Sequence, residues 1–267
     1  MSRSSIFPLL CTNTKTRSTL VQISMCILLG LTIVSQSCKT AYIPNALNVP
    51  LLQERGEMKF LLSANNFQAA YAVTDKIGII ANGQVAKREH QGNPNLTVDG
   101  KPDVSFAQNN SVIEAGVGYL GKGERNLLYE VYGGGGFSRT HIADLNKNNG
   151  VLGEIEAKGL KLFIQPNVGF ATRFFDVALS SRFTALQYGT ATTIYSKQYL
   201  IDQDLDQLAD NTHMFLEPAI TLRGGYKFIK LQVQFGVALK LSSANIPYNS
   251  TLGNLGLVID IAKWYKN

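Results

Sequence analysis

Between Ile229 and Leu241 every odd position is large and apolar, and every even position is polar or small. A strict period of two describes a β-strand with one apolar and one polar face. The stretch is longer than most soluble strands and about the length a tilted strand needs to cross a bilayer. Similar segments recur at 57–64, 67–74, 76–87, 111–121, 126–139, 158–171, 173–187, 213–225, 228–241 and 252–263, giving ten candidate strands. The first two are short, so a count of eight remains open.

The connections point to one architecture. Asp75 alone separates the second and third candidates, Thr172 the sixth and seventh, and Tyr226-Lys227 the eighth and ninth, while the fourth and fifth are joined within Gly121–Arg125. The gaps 88–110, 140–157, 188–212 and 242–251 are long and polar. Short and long connections therefore alternate, except that Asn65-Asn66 is also short. Outer-membrane barrels join their strands in this way, with short periplasmic turns and longer external loops. The expected fold is all-β: a single antiparallel transmembrane β-barrel over 57–267. An even strand count places both chain ends on the periplasmic, short-turn side, where a lipid tether can start.

Period two also fixes what each face carries. In the sixth candidate Leu160, Leu162, Ile164, Val168 and Phe170 oppose Lys161, Gln165 and Asn167. In the seventh Phe175, Val177, Leu179 and Phe183 oppose Asp176, Ser180, Arg182 and Thr184. Read along all strands, the polar faces hold Glu114, Glu130, Lys161, Asp176, Arg182, Glu217, Arg223, Lys240 and Asp260. In a soluble barrel that face would be the outside; in a membrane barrel it is the lumen. Bulky apolar faces favour the membrane, as do aromatics near strand ends (Tyr71, Tyr119, Tyr129, Phe137, Phe170, Phe175, Tyr226, Trp264, Tyr265), where interfacial girdles sit. Gly116, Gly118, Gly134, Gly136, Gly169 and Gly236 lie on or beside the polar face, where they would make room for long charged neighbours. A ten-stranded barrel is little wider than the eight-stranded kind that side chains fill. The lumen is therefore expected to be crossed by a charge network of Glu114, Glu130, Lys161, Asp176, Arg182, Glu217, Arg223 and Asp260, and not to form an open pore.

The N-terminal part reads as targeting sequence. An apolar run from Thr19 to Val34 follows Lys15 and Arg17 and ends in Ser-Gln-Ser-Cys, which suits a secretory signal over 1–37. Removing it lowers the formal charge from +6 to +3, too mild and scattered to suggest nucleic acid. Of the three cysteines, Cys11 and Cys26 leave with the signal, so no intramolecular disulfide remains. Cys38 is placed as in a bacterial lipobox, where the sulfur receives diacylglycerol; ordinary cleavage leaving a free thiol is the alternative. Residues 38–56, with Pro44, Pro50, Asn45 and Asn48, read as an extended tether.

Catalytic signatures are sparse. The histidines are His90, His141 and His213. Ser138 precedes His141 by three residues, which on a strand points them to opposite faces and disfavours a nucleophile–base pair. Ser111 or Ser196 could approach from elsewhere. The acidic run 202–211 has carboxylates at 202, 204 and 206 but lacks the glycine and terminal glutamate of a calcium loop. Gly133–Gly136 lacks the Lys-Ser/Thr of a phosphate loop and suits a bend or a close side-chain approach. We expect no catalytic residue, no metal and no cofactor.

Cys38, the segment Tyr42-Ile-Pro-Asn-Ala-Leu-Asn-Val-Pro-Leu-Leu-Gln-Glu-Arg-Gly-Glu57, then Gln68-Ala-Ala-Tyr-Ala-Val-Thr-Asp and Ile80-Ala-Asn-Gly, resemble small outer-membrane β-barrel lipoproteins of Bacteroidota, mostly of unassigned function. The matching part covers 38–83, under a fifth of the chain. The resemblance implies an outer-membrane location and a lipid anchor, and it supplies no catalytic residues. The expected function is structural or one of surface interaction, with the bilayer as partner. A narrow diffusion channel for small solutes, a lipid-modifying outer-membrane enzyme and a soluble lipocalin-like barrel are the rivals.

Overall fold

A computed structural model describes residues 39–93, 97–98, 101–102, 104–146, 150–209, 211–226 and 228–261. The expected signal over 1–37, Cys38, and Trp264 and Tyr265 lie outside them. The chain forms a closed antiparallel barrel of ten strands: β1 (Met58–Ser63), β2 (Asn66–Ala72), β3 (Ile77–His90), β4 (Ser105–Lys122), β5 (Leu127–Leu145), β6 (Val151–Ala171), β7 (Phe175–Thr193), β8 (Thr212–Tyr226), β9 (Ile229–Val237) and β10 (Thr251–Asp260). Each strand pairs with its neighbours in sequence, and β10 closes on β1 through pairs such as Phe60–Ile259. Past Ala238, Leu239–Lys240 continues the β9 edge against β8. Closure pairs the strand edges through most of the wall; beside the short β1–β2 hairpin, Ala86–His90 of β3 and Thr251–Leu255 of β10 extend past their partners on that side. One six-residue helix, α1 (Lys197–Asp202), lies between β7 and β8 and is capped by Ser196, whose side chain accepts from the Tyr199 amide.

The middle strands outrun the alternation that reveals them. β4 starts six residues earlier than expected, at Ser105; β5 runs on to Leu145, β6 begins at Val151, and β7 reaches Thr193. In these extensions several outward positions turn polar (Asn109, His141, Glu154, Glu156), so the apolar signal stops while the hydrogen-bonded ladder continues. The first three long connections shorten accordingly, to 91–104, 146–150 and 194–211, and the fourth moves by one residue to 241–250.

The two faces of the wall are inverted relative to a soluble protein. Outward side chains such as Ile113, Phe137, Leu160, Leu162, Ile164, Leu179 and Leu255 are exposed. Inward ones such as Lys161, Gln165, Arg182, Gln232 and Gln234 are fully buried. Tyr119, Tyr129, Phe170, Phe174, Phe175 and Tyr226 ring the short-turn end on the outside.

The segment read as an extended tether does not hang outside. From Thr40 to Leu52 it is buried inside the barrel. Lys39 sits at the long-loop end, bonded to Asp144 near the end of β5 and to Tyr199 of α1. The chain then descends to the short-turn end, where the Arg55 amide donates to Asp75 at 2.9 Å, and turns into β1. The described chain thus begins at the long-loop end and finishes at the other. This corrects the expectation that both ends share the short-turn side. Strand count fixes where β1 starts, but not the path that leads to it.

Candidate functional site: a lumen filled by the N-terminal segment

The alternating pattern of each strand aims its polar side chains at the axis, and the inserted segment, here called the plug, meets them level by level. At the long-loop end the Thr40 amide donates to Gln108 at 3.1 Å, and Gln108 donates back to the Thr40 carbonyl at 2.6 Å. The Ala41 carbonyl accepts from Asn110, Thr140 and Tyr188 at 3.1, 2.7 and 2.9 Å. The Leu47 amide and carbonyl are both held by Gln234, at 2.8 and 3.0 Å. Gln165 donates to the Asn48 carbonyl at 2.6 Å, and Arg223 donates to that of Val49. Lys59 donates to the carbonyls of Pro50 and Leu51 at 2.8 and 2.9 Å, fixing a kink where Leu51 adopts φ 51°. A buried peptide group needs a partner. With no neighbouring strand along most of its path, the plug finds those partners in wall amides and cations.

The charge centre lies halfway down. Glu114 on β4 pairs with Arg182 on β7 at 3.0 Å and with Lys161 on β6 at 3.2 Å, all three side chains fully buried. The Lys161 contact to Glu114 Oε2 is an ion pair without hydrogen-bond geometry. Asn45 of the plug sits between them. Its Oδ1 accepts from Arg182 at 3.1 Å and from Lys161, and its Nδ2 donates to Glu114 at 2.9 Å. Gln165 accepts from Arg182 at 2.9 and 2.6 Å, and the guanidinium lies 4.8 Å from the Phe163 ring centre. Nearer the short turns, Asp176 pairs with Lys230 at 2.6 Å and Arg223 at 4.0 Å, and Asp260 lies 3.8 Å from Lys59. Glu130 accepts the Leu52 amide at 2.7 Å, and Glu217 accepts the Tyr42 hydroxyl. All eight residues read as a lumen network are therefore buried on the inner wall. Glu114, Lys161, Arg182, Asp176, Arg223 and Asp260 meet opposite charges, whereas Glu130 and Glu217 meet the plug.

Apolar contacts follow the same course. Ala41 and Tyr42 join Leu186, Tyr188 and Phe215. Leu47, Val49 and Leu51 pack with Leu128, Ala178 and Leu252. Leu52 packs with Ile80, Leu120, Tyr132 and Phe163. The inward glycines serve these rings more than the charges. A Cβ on Gly118 would lie 2.3 Å from Tyr132, and one on Gly134 would lie 2.7 Å from Phe163 and 2.2 Å from the Ala115 carbonyl. The glycine run of β5 is a close-approach site.

No known family model matches this chain, and neither does any curated protein.

At the long-loop end a clamp holds the start of the plug. Lys39 pairs with Asp144 at 2.7 Å and donates to Tyr199 at 2.5 Å, and Tyr199 donates to Asp144 at 2.6 Å. Tyr195 stacks on Tyr199 with ring centres 4.4 Å apart. Partial burial, with the nearby Asp144 carboxylate, pushes both phenols well above their ordinary range, so they remain donors. His90, His141 and His213 lie on three different strands. His141 faces Glu154 at 3.3 Å, and His213 is buried against the Leu208 carbonyl. Ser138 points into the lumen, away from His141, and Ser196 caps α1. Among the described residues no three His, Cys, Asp or Glu side chains group as metal ligands.

Proposed function

We propose that this chain is an outer-membrane β-barrel lipoprotein with a closed lumen, acting structurally or as an interaction surface through its long-loop end. One observation carries the reading: apolar side chains cover the outside of the wall while charged ones are buried within. In water such an exterior is an aggregation surface; in hydrocarbon it is the required solvent face. On β6 the outward positions from Leu160 to Phe170 are apolar. That run spans about 33 Å along the strand. At a tilt of about 40° it covers roughly 25 Å of barrel axis, the height of a bilayer's apolar band. The aromatic ring at the short-turn end supports a membrane boundary there.

The plug argues against an open diffusion channel, since it occupies the axis from Thr40 to Leu52. In this reading an acyl chain on Cys38 enters the leaflet on the long-loop side, because Lys39 follows directly. Membrane fractionation with a carbonate wash tests the assignment. The chain is expected in the washed membrane pellet, and release into the supernatant would refute it. Metabolic labelling with an alkynyl palmitate, compared with Cys38→Ala, tests the anchor: loss of label in the variant supports it, and no label in the parent removes it.

A further inference from the structure

A groove of about 1440 Å³ lies on the outer wall, running from the β1–β2 turn across β3 to β6. β1 and β2 stop at Ser63 and Asn66, while β3 continues to His90 and β4 to β7 are longer still, so a step forms beside the short hairpin. One side of the groove is apolar, from Leu62, Phe67, Ile113, Phe137 and Leu160. The other carries Lys87, Arg139 and Lys158. The pairing sets Ser111 opposite Arg139 and Arg139 opposite Lys158. Arg139 and Lys158 are 57% and 65% exposed and share one carboxylate, Glu156, at 3.0 and 3.1 Å. The groove's lining carries these three cations and no acid, Glu156 and Glu89 lying beyond it, so its rim is positive. A second hollow of about 710 Å³ lies on the same wall, floored by Ala69, Ala81, Ala115 and Gly133. A Cβ on Gly83 or Gly133 would meet nothing within 4 Å, so packing within the barrel does not require glycine at either position.

A cationic edge beside an apolar trough fits one chemistry. We propose that this groove binds a phosphorylated lipid with several acyl chains, in the leaflet at the long-loop end. Its phosphate oxygens meet Lys87, Arg139, Lys158 and the Ser111 hydroxyl, and its chains lie along the small-residue floor. Arginine and lysine suit phosphate oxygens through charge-assisted hydrogen bonds. A low floor lets chains contact the wall instead of bridging over it. The inference rests on the membrane-spanning reading above.

The test uses the mature chain in nanodiscs, titrated with a diphosphorylated lipid A, the same lipid stripped of phosphate, and inorganic phosphate. The phosphorylated lipid is expected to bind with about one copy per barrel, and the stripped lipid about tenfold more weakly. The variant K87S/R139S/K158S should abolish that preference. G83L/G133L should weaken binding with the cations intact, because the leucines fill the floor. Heat-dependent gel mobility checks that both variants remain closed barrels. Equal binding of the two lipids, an unaffected triple variant, or competition by inorganic phosphate alone would overturn the proposal. A chain that inserts but shows no preference sinks this inference only; a chain that never enters a bilayer sinks the membrane reading as well.

Discussion

On β6, neighbouring residues live in opposite worlds. Leu162 and Ile164 are more than half exposed, while Lys161 and Gln165 on either side of them are wholly buried. The outer face is apolar through the middle of the wall and turns polar toward the long-loop end. The inner face is specific: its charged groups and many of its amides meet named partners, among them the plug. The outer wall bears on what surrounds the barrel in the proposed reading, and the inner wall shows what fills it. A substitution should therefore be judged by the face it lies on before it is judged by its chemistry.

The largest effect is expected inside. Arg182→Ala leaves Glu114 with Lys161 as its remaining cation and frees Gln165 and Asn45, and should cost about 3–5 kcal/mol of barrel stability. Denaturant unfolding of the detergent-solubilised protein measures it; an unchanged midpoint would deny Arg182 its place in the network. Next comes the outer face. Ile164→Arg should cost about 2–4 kcal/mol when the barrel is folded in vesicles. A water-facing site would absorb the change within about 0.5 kcal/mol, so refolding titrations separate the two surroundings directly.

A smaller loss falls on the plug. Asn45→Ala removes a donor to Glu114 and an acceptor for Arg182 and Lys161, at about 1–3 kcal/mol. Chemical denaturation paired with Arg182→Ala in a double-mutant cycle should show strong coupling, and additivity would mean that the plug and the charge centre are independent. The smallest effect belongs to the clamp. Lys39→Ala removes a partly buried ion pair at the rim and should cost no more than about 1 kcal/mol. Thermal melts at low and high salt check it, and a difference between variant and parent that persists in high salt would point to packing instead of charge.

The barrel was legible in sequence because period two writes the facing of every wall residue directly. Glu114, Lys161 and Arg182 could be set on a common inner face without knowing which strands were adjacent. The plug was not legible, because burial there is not periodic: Pro44, Pro50, Asn45 and Asn48 break any strand or helix pattern, and partners such as Gln234 are distant in sequence. Two signals could have exposed it. Tyr42, Ile43, Leu47, Val49, Leu51 and Leu52 make the segment too apolar for a solvated tether. Gln68, Gln84, Gln108, Gln165 and Gln234 give the inner wall more amides than its charges can use, and amides aimed at an axis call for a backbone to bind. The strand extensions at Ser105–Asn110 and Val151–Ala157 escaped for the opposite reason, since a ladder in water needs no apolar face.

The central claim is that hydrocarbon touches the outer wall. A nitroxide placed by Ile164→Cys, with the native cysteines replaced by serine, reports this in reconstituted vesicles. Its spectrum should be relaxed strongly by dissolved oxygen and hardly at all by a water-soluble nickel chelate. The reverse ranking would mean that position 164 faces water, and the membrane-spanning account would be contradicted.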